Sequence, residues 1–173
     1  MTTTHLPRPA RILALLASGA VLAGCDGGPF GPAAERARTL TTLKAVTARY
    51  QDVNVAIQDG FVLLHECEVR PGEGAVGILY VHLDRFMDGE LDPMAPDGLL
   101  YEPREDGDPE LVGVEVALPR SMWDQPDPPE FLGTPLQVEE EFDAFGLHIW
   151  VWRHNPDGVF AQAHPGITCP PEA

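Results

Sequence analysis

Four residues of this chain could carry acid–base or metal chemistry inside apolar surroundings: His82, Glu102, Glu115 and His148, each interrupting a strand-like hydrophobic run. A polar side chain in such a run either faces solvent or is paired in a buried cluster, because an unpartnered buried polar group costs free energy. Should they converge, two imidazoles and two carboxylates could hold a divalent ion. Alternatively, one of the glutamates and His148 could form a general acid–base pair whose protonation is shifted by burial beside tryptophans. The structural alternative is a set of strand glutamates paired with Arg104, Arg120 or Arg153 and a hydrogen-bonded cluster around His148. No H-E-x-x-H, C-x-x-C or facial-triad spacing occurs and no cofactor motif is evident, so a divalent metal is the one cofactor left open.

Tyr101, Trp150 and Trp152 are the aromatic candidates for a pocket wall, the competing reading being core. Asp84, Asp88, Glu90, Asp92 and Asp97 lack the spacing of an EF-hand loop and read as a solvated acidic loop. A serine nucleophile after the first 25 residues could only be Ser121, which stands in Pro119-Arg120-Ser121-Met122 without the Gly-x-Ser-x-Gly elbow.

The elements that must position these residues follow from hydrophobic periodicity. Leu40, Leu43, Val46, Tyr50, Val53 and Ile57 recur every three or four residues before Gly60, which predicts one long amphipathic helix over about 33–59. Beyond Gly60 the pattern shortens to strands at Val76–Leu83, Leu99–Glu102, Leu111–Leu118 and Phe145–Trp152. The third strand alternates, with Val112, Val114, Val116 and Leu118 on one face and Gly113, Glu115 and Ala117 on the other. The fourth is expected to place Phe145, Leu147, Ile149 and Val151 opposite His148, Trp150 and Trp152. Long proline-rich connections separate them, and Asn155-Pro156-Asp157-Gly158 has the residue order of a type I turn. The expected fold is α+β: an N-terminal amphipathic helix packed on a curved, mainly antiparallel β-sheet with long proline-rich loops, forming a single globular domain over 33–173.

Charge is segregated along the chain. All 27 acidic residues follow position 25, while Arg8 and Arg11 precede it, so nine basic residues face 27 acids and the later part carries −18. Such a domain repels phosphate backbones and anionic headgroups, which argues against nucleic acid as a partner and against polybasic attachment to membranes. The first 11 residues are basic, and Ile12–Leu22 is an apolar run too short to remain as a transmembrane helix, which needs about 20 residues. The run ends in Leu22-Ala23-Gly24-Cys25, which resembles the lipobox of bacterial lipoproteins. That resemblance implies a signal peptide over 1–24, a lipidated Cys25, a flexible tether over 25–32 and an exported domain held in the cell envelope by covalent lipid.

With Cys25 lipidated, Cys67 and Cys169 remain as an even pair in an oxidising compartment and are expected to be joined. Segments of the later chain, in order Gly74-Ala75-Val76-Gly77, Leu99-Leu100-Tyr101-Glu102-Pro103, Leu111-Val112-Gly113-Val114-Glu115, Leu147–Trp152, Asn155–Phe160 and Cys169, resemble a family of uncharacterised exported bacterial proteins over most of residues 45–169. The resemblance implies an outline and no activity. A histidine often stands in that family where this chain has Leu79, and an asparagine where it has His82, so a mechanism resting on that strand is discounted.

Three functional readings follow from these residues. The first is a non-enzymatic envelope domain that binds a small ligand or an envelope protein beside His148 and the tryptophans. A metal-dependent enzyme using His148, Glu102, Glu115 and His82 is the second, and a purely structural tethered lipoprotein is the third.

Overall fold

The computed structural model describes residues 30–105 and 107–171. The expected signal peptide, Cys25 and most of the tether lie outside the described residues. Helix α1, Pro32–Thr47, begins with a proline where a missing N–H leaves no hydrogen bond unmade, and carries Glu35 in its first turn and Lys44 in its last, the signs that suit a helix dipole. It does not continue to residue 59 as expected. A 3-10 turn over Ala48–Gln51 follows, and the Asp52 side chain accepts from the Asn54 N–H at 2.9 Å, starting α2, Val53–Gln58, as a separate helix.

The strands in chain order are β1 (Val62–Arg70), β2 (Gly74–Val81), β3 (Gly98–Glu102), β4 (Glu110–Pro119), β5 (Glu130–Phe131), β6 (Thr134–Pro135), β7 (Gln137–Glu139) and β8 (Ala144–Ile149), with a short helix α3 (Leu83–Phe86) between β2 and β3. Six of them form one antiparallel sheet in the order β1-β2-β3-β4-β8-β7, and β5 and β6 make a separate hairpin. The fold is therefore α+β with a curved antiparallel sheet. The curvature is strong. Although β1 and β7 lie at opposite ends of the sheet, Arg70 on β1 comes within 3.5 Å of Glu139 on β7, and the His65 ring stacks on Phe142. Three register shifts between β1 and β2 give the edge strand its bend, as bulges do. The result is a cup whose two rims nearly touch.

One side of the sheet carries the main core. Leu99, Tyr101, Val114, Val116, Leu147 and Ile149 share an apolar cluster with Leu43, Tyr50, Val53 and Ala56 of the helical segment. Two hydrogen bonds reinforce this contact: Tyr101 O–H donates to the Tyr50 carbonyl at 2.7 Å, and Trp152 Nε1–H to Thr47 Oγ1 at 3.0 Å. A smaller cluster, with Val76, Leu79, Leu100, Val112, Trp150 and Ile167, fills one end of the other side.

Val112 was expected beside Val114. Leu111 instead pairs with Tyr101 and Gly113 with Leu100, so Val112 is an extra residue in β4 and turns to the smaller cluster while Leu111 joins the larger. The expected shared face of Trp150 and Trp152 also fails, because β8 stops at Ile149 and the chain bends there, with the Val151 N–H bonded to the Ile149 carbonyl.

The tail is irregular but well tied. The Asn155 turn closes with Gly158 N–H donating to the Asn155 carbonyl at 3.1 Å, and Gly158 takes φ +118°, where a side chain would be strained. His164 then pairs with Ala75, and a disulfide joins Cys169 to Cys67 on β1, as expected, with Cα atoms 5.4 Å apart. Among the described residues no helix is long and apolar enough to cross a membrane.

Candidate functional site

Antiparallel pairing of β4 and β8 sets Glu115 directly opposite His148 on the concave side of the sheet. The strands flanking Glu115 supply glycines where its carboxyl lies. A Cβ at Gly98 would stand 2.8 Å from Glu115 Oε2, and one at Gly146 2.7 Å from Oε1, so neither position can hold a side chain without moving the glutamate. His148 Nε2 stands 3.6 Å from Glu115 Oε1, with the two side chains only 3% and 6% exposed.

The tautomer follows from the second nitrogen. His148 Nδ1 lies 2.7 Å from the Gln162 carbonyl, which can only accept, so Nδ1 carries a proton and Nε2 is left to face Glu115. Burial alone pulls the His148 pKa down. The facing carboxyl of Glu115 and its charge, then the Gln162 carbonyl and the charge of Glu139, outweigh it and raise the pKa above the ordinary histidine value. Glu115 thus favours the protonated form of a buried imidazole.

This pair borders a cavity of about 140 Å³. Leu79, Val81, Phe86, Ala117 and Ala144 give it apolar walls, and Glu139 with Arg70 crosses its rim. Burial raises the Glu139 pKa, against the opposing charges of His148 and Arg70. Arg70 is shared, its Nε 3.1 Å from Glu68 and its Nη1 donating to Gln162 Oε1 at 3.2 Å. The arrangement combines an apolar container with charged hydrogen-bonding groups at its floor and rim, the usual composition of a small-molecule site.

The structure separates the other residues singled out by sequence. Glu102 is bound to Arg153, the salt-bridged outcome. His82 sets its ring edge-on to Phe61 at 5.3 Å and leaves Nδ1 buried without a hydrogen-bond partner among the described residues, away from the cavity wall. The four-residue metal cluster therefore does not form: Glu115 and His148 meet, while Glu102 and His82 point elsewhere. Among the described residues, no group of three or more His, Cys, Asp or Glu could hold a metal ion. None of the three aromatic candidates lines the cavity. Tyr101 is fully buried in the main core, Trp150 is 3% exposed and donates to the Ala161 carbonyl, and Trp152 lies under the Lys44 ammonium, 4.8 Å from its ring centroid.

Sequence reasoning missed Arg70 and Glu139, because both sit on edge strands too polar to read as strands. It also misplaced Asp97. Far from lying in a solvated loop, Asp97 is 1% exposed; its Oδ2 accepts from the Ala117 N–H at 2.9 Å and its Oδ1 has no hydrogen-bond partner among the described residues. Burial, with the nearby charges of Glu115 and Asp88 adding to it against the Ala117 hydrogen bond, raises its pKa to about 7. Between the ordinary value of 3.8 and about 7 the folded chain holds a proton that the unfolded chain releases, so stability falls as pH rises through that window. Three units correspond to about 4 kcal/mol, less about 1–3 kcal/mol for burying an unpaired amide in its place. Asp97→Asn is accordingly expected to raise unfolding free energy at pH 8.5 by roughly 1–3 kcal/mol and to flatten its pH dependence. Urea melts at pH 4.5, 6.5 and 8.5 check this, and a variant less stable than wild type at pH 8.5 would contradict it.

Compared with protein-family models, with curated proteins and with solved structures, the chain matches none.

Proposed function

We propose that this chain is an exported bacterial lipoprotein whose domain, held at a membrane surface by lipid on Cys25, binds a small ligand in the cup that contains Glu115 and His148. The observation that carries the ligand reading is the buried ion pair opening on an apolar cavity of about 140 Å³. A charged pair taken out of water is seldom the most stable way to fill a core, so its placement against empty space favours recognition over packing. Export is supported by the Leu22-Ala23-Gly24-Cys25 sequence and by a disulfide of the kind that persists in oxidising compartments. On this reading α1 and α2 are the packed cover of the sheet's convex side, leaving the concave side for the ligand. The metal-enzyme reading has no comparable support, since Glu102 is bound to Arg153 and His82 stands apart.

Two measurements test the proposal. Titration of isotope-labelled domain with toluene and with 1-butanol is expected to shift the methyl resonances of Leu79, Val81 and Ala117. Shifts confined to other surfaces would overturn the cavity. Mass spectrometry of the chain from its source cell is expected to show an amino terminus at a diacylglyceryl-modified Cys25, and an intact Met1 would overturn the anchor.

A further inference from the structure

The charges around the cavity do not balance, and the imbalance identifies a ligand class. Three carboxyl groups, Glu68, Glu115 and Glu139, meet one guanidinium, Arg70, and the imidazole of His148. His148 is occupied by Glu115, and Arg70 lies closer to Glu68, at 3.1 Å, than to Glu139, at 3.5 Å. His65 turns to Glu68 and not to Glu139: its Nδ1 is engaged by the Glu66 carbonyl at 2.7 Å and its Nε2 lies 3.7 Å from Glu68. Among the described residues Glu139 makes one direct ion contact, the long one to the shared Arg70, on a side chain only 18% exposed, and His148 acts on it through its charge without touching it. Burial is the main cause of its raised pKa, with the charges of Glu115 and Glu68 adding to it against those of His148 and Arg70.

We propose that the cavity takes a small organic cation, an ammonium group on a short apolar body, with the ammonium seated between Glu139 and Glu115 and the body against Leu79, Val81 and Phe86. This inference rests on the small-ligand reading above and specifies its chemistry. The cavity itself sets the size, since about 150 Å³ of apolar space accommodates one benzene-sized body. Field and site agree in sign. With 27 acidic residues on the chain against 11 basic ones, the surrounding potential draws cations toward the mouth and turns anions away. An anionic ligand would have to displace Glu115 from His148 or Glu68 from Arg70, leaving a carboxylate buried without its partner.

The test uses three compounds sharing one apolar body, butylammonium, 1-butanol and butyrate, titrated into the disulfide-intact domain at pH 7 and followed by methyl chemical shifts. Butylammonium is expected to bind at least tenfold more tightly than 1-butanol, and butyrate more weakly than either. In Glu139→Gln the ratio of ammonium to alcohol affinity is expected to fall toward one, whereas Glu139→Asp keeps a clear preference. Equal affinities in wild type, or preference for butyrate, overturn the cation while leaving the cup as a ligand site. Absence of any shift at the cavity methyls with all three compounds overturns both. Because the readout is a ratio within each variant, a general loosening of the fold does not imitate the predicted loss.

Discussion

His148→Ala is expected to lower unfolding free energy by about 3–5 kcal/mol, because it strands the Glu115 carboxylate in a site that is only 6% exposed. Glu115→Ala should cost a similar amount by stranding the imidazole, whereas replacing both together by apolar residues, as in Glu115→Met with His148→Leu, is expected to be milder than either single change. A buried ion pair costs more to break than to replace. The pH dependence has a definite sign. Since the folded pKa of His148 is raised, its contribution is complete below the unfolded value of about 6.5 and is lost as pH rises through the folded value. The deficit of His148→Ala should therefore be largest in mildly acidic solution and shrink in alkaline solution. Urea melts of the three variants at pH 5.5 and pH 9 measure this, and a His148→Ala deficit below about 1 kcal/mol at pH 5.5 would mean that the pair is solvated or open in solution.

The second large effect belongs to the Cys67–Cys169 bridge, whose cysteines are 102 residues apart in sequence. Closing a loop of about 100 residues is worth up to about 4.7 kcal/mol in the chain-entropy model, and losing a native bridge commonly costs about 2–5 kcal/mol. Cys67→Ala with Cys169→Ala is expected to fall in that range, read from denaturant midpoints against the oxidised wild type. The loss should also be felt in binding, because Cys67 lies on β1, the strand that brings Arg70 round to Glu139. Toluene shifts at Leu79 and Val81 should weaken in the double variant or on reduction. Full retention of both stability and binding would leave the bridge without the role assigned to it.

How far the sequence foretold this site depends on which strand each residue occupies. Glu115 was legible because β4 alternates, and His148 because it interrupts the run that becomes β8. Their meeting was not, since register is set by pairing between strands and no single strand carries it. β1 was missed because His65, Glu66 and Glu68 mark it as polar on both faces, a composition tolerated at a sheet edge and rare within one. The helix was overextended for a local reason: hydrophobic spacing runs through Tyr50 to Ile57 without a gap, yet Asp52 serves as a cap and divides it. Asp97 was read by the company it keeps in sequence, although its place just before β3 draws it under the sheet.

The extra residue at Val112 decides which way Glu115 looks. Side chains in a strand obey an odd–even rule, and a one-residue slip reverses the parity of everything downstream. Before that slip Leu111 belongs to the greasy layer under the helices, and after it so do Val114 and Val116, while the glutamate takes the hollow side opposite His148. Deleting a residue between Leu111 and Gly113 would change no acidic or basic group, yet it would drive Glu115 in among the helices and turn two valines toward the hollow. The address of the carboxylate is written three positions upstream of it, in an alkyl side chain with no chemistry of its own.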